Sequence, residues 1–351
     1  MRIAIVGAGL AGTALAWRLR RHPSPPAVDL YGAAPAGADA TAASGGLVRG
    51  FQPDPGACRL AAESLAELRG DVALREAAGY REIGSRYLLP PGAGTSHLGI
   101  VEECLPGSAA LLDGPGAHPF RGLPAGATVV AERDAGYLSP AGLRAALIVR
   151  LAAAGARIRP LPVAGVGGSE PAPSLLLADG LRVEYELVVL ATGAWTPGLL
   201  AAHGFGTGDM RAKQIQFTIF AGRVAGLGAF VDDISGLYGR PDGPGALLLG
   251  LPCDRWDVDV DTVAPDTALV HRVVGVAART LGITLTAADA LRTVASFDCY
   301  HPSPGLTLRP VPGAGGAVLT FSGGSGGAVK SVLAASRVAA GEVLGVPSPT
   351  V

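Results

Sequence analysis

Ile3-Ala4-Ile5-Val6-Gly7-Ala8-Gly9-Leu10-Ala11-Gly12 carries the pattern from which the architecture follows. Ile3 to Val6 is a short apolar run of the kind that forms a buried parallel strand. The glycines then fall at G-x-G-x-x-G spacing, Thr13 to His22 reads as a helix closed by Pro23, and Ala27 to Tyr31 is the next strand. Strand, glycine turn, helix and strand together make one βαβ unit of roughly 30 residues, the context in which this spacing gains meaning. Gly7 permits the tight turn, Gly9 lets the backbone approach a diphosphate, and Gly12 lets helix and strand pack closely. The helix start offers free N–H groups and a partial positive charge to phosphate. One expected part is missing. The second strand should end in Asp or Glu to hold ribose hydroxyls, yet Val28-Asp29-Leu30-Tyr31 runs into Gly32, and Asp29 comes too early or on the wrong side of the alternation. The ribose is then held by backbone and loop atoms, or the nucleotide binds weakly.

Outward from this unit, Cys58 to Arg69 has helical spacing, and Ser139 with Pro140 caps a helix running to about Ala154. Arg157 to Val166 and Leu181 to Leu190 read as strands, with residues 166–174 as a surface turn between them. Strand-like runs follow at 211–220, 228–240 and 245–251, then a helix over 265–281. Ala317 to Phe321 is a strand, Ser322 to Gly327 a glycine loop and Ala328 to Leu344 a helix. Strand, glycine loop and helix thus occur at both ends of the chain.

Composition excludes much. The 351 residues are 49% apolar and 16% charged with a formal net charge of −1, so neither disorder nor a footprint for nucleic acid or an acidic membrane is expected. Gly (52) and Pro (28) are abundant but aperiodic, which removes collagen-like classes. Four scattered cysteines and six scattered histidines form no disulfide framework and no metal-ligand cluster. The N-terminal apolar run imitates a signal peptide, but its three spaced glycines argue for a folded turn. No run of 18 residues is apolar throughout, so a soluble, cytoplasmic protein is expected. The 28 basic residues include only two lysines, Lys213 and Lys330.

Five motifs now fall into a familiar order: Gly7 to Gly12, Ala43-Ser44-Gly45-Gly46-Leu47-Val48-Arg49, Gly136-Tyr137-Leu138-Ser139-Pro140, Ala191-Thr192-Gly193-Ala194-Trp195 and Gly323-Gly324-Ser325-Gly326-Gly327. Over nearly its whole length the chain resembles the FAD-dependent amine and amino-acid oxidoreductases typified by D-amino-acid oxidase, glycine oxidase and sarcosine oxidase. The resemblance implies an α/β fold: a Rossmann-like FAD-binding domain from residues 1–75, 140–205 and 305–351, and an α+β substrate domain on a mixed or antiparallel sheet from 76–139 and 206–304. It also implies the cofactor contacts. Gly7, Ala8, Gly9, Leu10, Ala11 and Gly12 meet the diphosphate, while Ser44, Gly45 and Gly46 let the flavin ring lie on the backbone. Val163 packs the adenine, and Ala191, Thr192, Gly193 and Trp195 close over the ribose. Gly323, Gly324, Ser325, Gly326 and Gly327 open a helix whose dipole faces the flavin, beside Lys330.

On the substrate side the resemblance implies that Arg49 and Lys330 hold a substrate carboxylate, fixing the reacting carbon over the flavin. Lys330 sits in the first turn of the last helix, where a cation opposes the macrodipole by ~0.3–1 kcal/mol, so an anionic ligand would explain it. Tyr300 corresponds to a pocket tyrosine; Tyr238 and Arg240 lie on a substrate-domain strand within possible reach of the ligand. Lys213, beside Gln214, reads as a solvated strand end. The implied reaction is oxidation of a C–N bond in a carboxylate-bearing amino acid or cyclic secondary amine, with O2 or another electron acceptor as partner. Three departures qualify it. Leu248 stands where such enzymes place an oxygen-activating lysine, Asp298 stands where some attach the flavin through cysteine (Cys299 is one residue later), and Ser303-Pro304-Gly305 lacks an expected Asp. They suggest non-covalent FAD and leave open a dehydrogenase or desaturase with another acceptor, or a redox-silent scaffold.

Overall fold

The computed structural model describes residues 1–32, 39–112, 118–168, 170 and 172–346. Residues 33–38, 113–117, 169, 171 and the last five lie outside the described residues.

The first strand, Arg2–Val6, lies in the middle of a six-stranded sheet. It pairs in parallel with Ala27–Tyr31 on one side and Leu187–Leu190 on the other. Leu187–Leu190 pairs in parallel with Val318–Ser322, so one strand separates the beginning of the chain from its end. Arg157–Arg159 and the antiparallel Thr307–Pro310 complete the edges. Ile3, Ile5, Val189 and Phe321 are fully buried against helices Leu10–Arg20 and Ala328–Leu344, as a sheet covered on its faces requires. Parallel strands carry the glycine loop of each end to the same edge of this sheet, where ligands of open α/β sheets bind.

The second large sheet has eight strands and is mixed. Its long strands Arg211–Ala221 and Ala290–Tyr300 run antiparallel, followed by Ala246–Gly250, Tyr238–Pro241 and Ala229–Asp232. Ala229–Asp232 then pairs in parallel with Ser85–Leu89, which continues to Thr128–Glu132 and Ala109–Leu112. Those last three strands belong to a region in which the sequence pattern announced no elements. The architecture is the expected α/β sheet joined to a mixed sheet.

Several boundaries differ from the sequence reading, each for a local reason. The run 157–166 divides into Arg157–Arg159 and Val163–Gly167 because Pro160 and Pro162 cannot continue a ladder. Residues 166–174 are only partly a turn: the latter strand and Ser174–Leu177 form a hairpin that continues to Arg182–Glu184. The first helix begins at Leu10 rather than Thr13, inside the glycine fingerprint. Helix Pro140–Ala153 is capped as expected, Ser139 accepting from the Gly142 N–H.

Candidate active site

The head turn is shaped by contacts that tolerate no side chain. A Cβ on Gly7 would lie 2.3 Å from the Ala191 carbonyl oxygen, and one on Gly12 would lie 2.0 Å from the Gly7 oxygen. Gly7 adopts φ +113° and donates its N–H to the Tyr31 carbonyl at 2.7 Å. At Gly9, in contrast, nothing stands nearer an added Cβ than Thr41 Oγ1 at 3.6 Å. The same hydroxyl accepts from the Leu10 N–H at 3.1 Å, and Gly9 itself places no cap on the helix. The remaining first-turn amides therefore have no intrahelical partner beside an open space, the arrangement that suits an anion.

The missing ribose carboxylate has a steric explanation. A Cβ on Gly32 would lie 2.3 Å from the Ala8 Cβ, so the head turn presses on this position. Asp29 is fully buried and serves the sheet instead, bound by Arg2, Arg157 and Tyr185. Burial pushes its carboxyl up, but these hydrogen bonds outweigh burial and hold it below the usual range. The next carboxylate along the chain is Asp39, which lines the cavity, accepts from the Ala42 N–H and pairs with Arg144.

The tail loop is tied down differently. Ser325, at φ +49°, donates its N–H to the Cys299 carbonyl at 3.0 Å, and its hydroxyl accepts from the His301 N–H at 3.3 Å. Asp298 accepts from the Gly326 N–H at 2.8 Å and from the Cys299 N–H at 2.9 Å. Despite those bonds, burial lifts the Asp298 carboxyl to about 6. The loop is thus docked on the end of strand Ala290–Tyr300, in the mixed sheet.

Head turn and tail loop line one cavity of about 1590 Å³. That exceeds the roughly 300–1,000 Å³ typical for a drug-sized ligand, leaving room for a dinucleotide and a second small molecule. Gly7 to Ala11, Ser44, Gly45, Gly46, Val163, Ala191, Thr192, Gly193, Trp195, Gly323, Gly324, Gly326, Gly327, Tyr238, Tyr300, Arg49 and Lys330 all line it. Gly12 and Ser325 do not; they shape the two loops from behind. Arg240 is the clear exception. Its Nε donates to the Gly45 carbonyl at 2.9 Å, its Nη1 bonds the Pro241 carbonyl and Asp242, and its guanidinium lies 4.0 Å from the Tyr137 ring. It faces an adjoining cavity of about 380 Å³ with Leu248, so it braces the Ser44–Gly46 loop and does not reach the larger site.

Two cations meet at the inner end. Arg49 is only 5% exposed; it donates to Gln52 Oε1 at 3.4 Å, lies 4.7 Å from the Tyr87 ring, and leaves its buried Nε without a partner. Buried Glu132 fixes the adjacent backbone by accepting from the Gly50 and Phe51 N–H groups. Lys330, half-buried, pairs with no carboxylate among the described residues. Loss of hydration pushes its ammonium down to about 7, Arg49 pushes the same way, and Asp233 opposes both. Asp233 also accepts from the Tyr87 hydroxyl at 2.7 Å. Tyr238 donates to the Gln216 carbonyl at 3.0 Å, and the Tyr300 hydroxyl lies 3.1 Å from where a Gly326 Cβ would be. Burial raises both phenols, Tyr300 to about 12 with Asp298 adding to it.

A model of the FAD dependent oxidoreductase family matches residues 2–341. The chain belongs to this family. Its solved relatives in structure include L-proline dehydrogenase from P. horikoshii, with 17% identity and a TM-score of 0.80 over 99% of this chain and 94% of that one. Glycine oxidase from Geobacillus kaustophilus follows with 19% identity and a TM-score of 0.75 over 100% and 96%. NikD, an amino acid oxidase of nikkomycin biosynthesis, has 22% identity and a TM-score of 0.73 over 99% and 94%. At these identities the likeness establishes the fold. No curated protein sequence matches. The site of this FAD-dependent oxidoreductase fits its cofactor on its own evidence: Gly9 leaves a cradle that a side chain would narrow, and the head helix presents unpartnered amides. No described helix is long and apolar enough to cross a membrane.

Proposed function

We propose that this FAD-dependent oxidoreductase oxidises the C–N bond of a small amino or imino acid to an imine, binding the substrate carboxylate on Arg49 and Lys330. The observation that carries this reading is that both cations line the cavity shared by the two glycine loops, and neither forms an ion pair with a described carboxylate. FAD, when bound, supplies the hydride acceptor. The cofactor portion comprises residues 1–75, 140–205 and 305–351, and the substrate portion comprises 76–139 and 206–304.

Arg49, pre-set by Gln52, Tyr87 and the Glu132-fixed backbone, receives the carboxylate with little reorganisation. Lys330 adds a second positive charge from the helix start. Tyr238 and Tyr300 wall the space beside them and exclude water. With the carboxylate held at one end, the amine's lone pair assists departure of the hydride, and no side chain has to act as a base. The flavin binds without a covalent link: the Cys299 thiol is 1% exposed in an apolar cluster with Val6, Met210 and Val311, and burial pushes it up to about 12. Four free cysteines suit a reducing, cytoplasmic setting.

Anaerobic bleaching of the purified yellow protein by a panel of amino and imino acids tests the proposal. Arg49→Ala and Lys330→Ala should each lower the reduction rate over Kd by about 10- to 100-fold, the scale of one charge-assisted contact, while FAD content is kept. Unchanged reduction in both removes the substrate anchor.

A second reading concerns the acceptor. Leu248 is buried and packs its methyls toward Gly45, on the register partner of the strand that carries Arg240, so no lysine stands there to stabilise reduced oxygen. This favours a dehydrogenase over an oxidase. Fast, stoichiometric hydrogen peroxide during turnover would contradict it.

A further inference from the structure

Lys213 is placed inside the site, contrary to its reading as a solvated strand end. It lines the large cavity, so both lysines of the chain do. Its Nζ lies 4.4 Å from the Trp256 ring centroid and 5.1 Å from that of Tyr300. An isolated bridge to Trp256 fixes its backbone. Two aromatic faces orient a cation but do not neutralise it.

Asp257, Asp259, Asp261 and Asp298 line the same cavity, and none of them forms an ion pair with Lys213. Asp298 lies directly opposite Lys213 across the antiparallel pair, which puts both side chains on one face of the sheet. Yet Asp298 spends its two oxygens on the Gly326 and Cys299 N–H groups. At the rim, Asp257 is paired with Arg211, and Asp259 accepts from the Asp261 N–H and the Thr262 hydroxyl within its own turn. Arg49, Lys330 and Lys213 therefore face a single cavity with no ion-pair partner among the described residues. The head turn meets the cofactor diphosphate with backbone groups, and one substrate carboxylate answers Arg49 and Lys330. Lys213 is left over. The Tyr300 ring links the two places, its hydroxyl over Gly326 near Lys330 and its face toward Lys213.

We propose that Lys213 receives a second acidic group, so that the preferred substrates are amino or imino acids carrying two carboxylates. This rests on the carboxylate reading above. The probes are glutarate and butanoate, alike in backbone but differing by one carboxylate, titrated into the FAD-loaded protein and followed by the flavin absorption spectrum. Glutarate should bind roughly 10- to 100-fold more tightly than butanoate. Lys213→Met should remove that difference while butanoate affinity, FAD content and thermal midpoint stay as in the parent, and Lys213→Arg should keep most of it. Lys330→Met should weaken both ligands. Equal binding of the two probes by the parent protein, or equal weakening of both by Lys213→Met, overturns the role of Lys213 and leaves the anchor intact. Failure of both probes to bind the parent overturns the anchor and this inference together.

Discussion

The head turn and the tail loop follow the same local plan, a parallel strand leading through glycines into a helix, on strands of one sheet separated by a single neighbour. They are built by opposite means. Close backbone approach shapes the head turn, an added Cβ on Gly7 or Gly12 lying 2.3 or 2.0 Å from a carbonyl oxygen, and the Thr13 and Thr41 hydroxyls bond it locally. Hydrogen bonds from another sheet tie the tail loop, through Asp298, Ser325 and the Cys299 carbonyl. A turn shaped by close backbone approach makes a generic phosphate cradle. The tail loop is held by the strand that also presents Tyr300, so it joins the mixed sheet to the shared cavity.

The largest effect is expected at the head turn. Gly12→Val adds bulk where even a Cβ overlaps, and should cost about 3 kcal/mol of stability together with nearly all FAD binding, read by thermal midpoint and flavin content. Next comes the tail helix: Lys330→Ala should leave the flavin bound and cut substrate reduction by about 10- to 100-fold in stopped-flow measurements. A smaller effect is expected for Asp298→Ala, which frees the Gly326 N–H; FAD affinity of the apoprotein should fall about tenfold while the midpoint moves little. If Asp298→Ala instead destabilises as much as Gly12→Val, the two loops are alike after all.

The smallest effect is a pH dependence. The Lys330 ammonium, pushed down to about 7, is charged below that pH and loses its charge above it. Affinity for propanoate, which has no amine to titrate, should therefore be greatest below about 7 and weaken by a few-fold as pH rises through it. Bound carboxylate draws the proton back, so the midpoint in the complex sits higher. Lys330→Arg keeps its charge and should flatten the profile; an unchanged profile would move the titration to another group.

The head turn was legible because its glycine spacing and flanking elements are local, although the carbonyl that excludes a side chain at Gly7 belongs to distant Ala191. The tail helix was read to its residue bounds for the same reason. Arg49 and Lys330 were legible through resemblance, since nothing local in either segment says they face each other across a cavity. What escaped was set by distant pairing. Arg240 looked free to reach a ligand, but the Gly45 carbonyl, 195 positions away, claims it. Lys213 looked solvated because Trp256 and Tyr300 stand beside it only after the strands pair. Its rarity beside many arginines was the available signal. The vacant acid position at Gly32 was read correctly as a gap, while its cause, contact with Ala8, needed the fold.

Amide hydrogen exchange on FAD addition to the apoprotein tests most directly whether the two loops grip one cofactor. Amides of Gly9 to Ala11 and of Gly324 to Ala328 should gain protection together, at the same FAD concentration. Protection at the head with the tail unchanged at saturating FAD would contradict it.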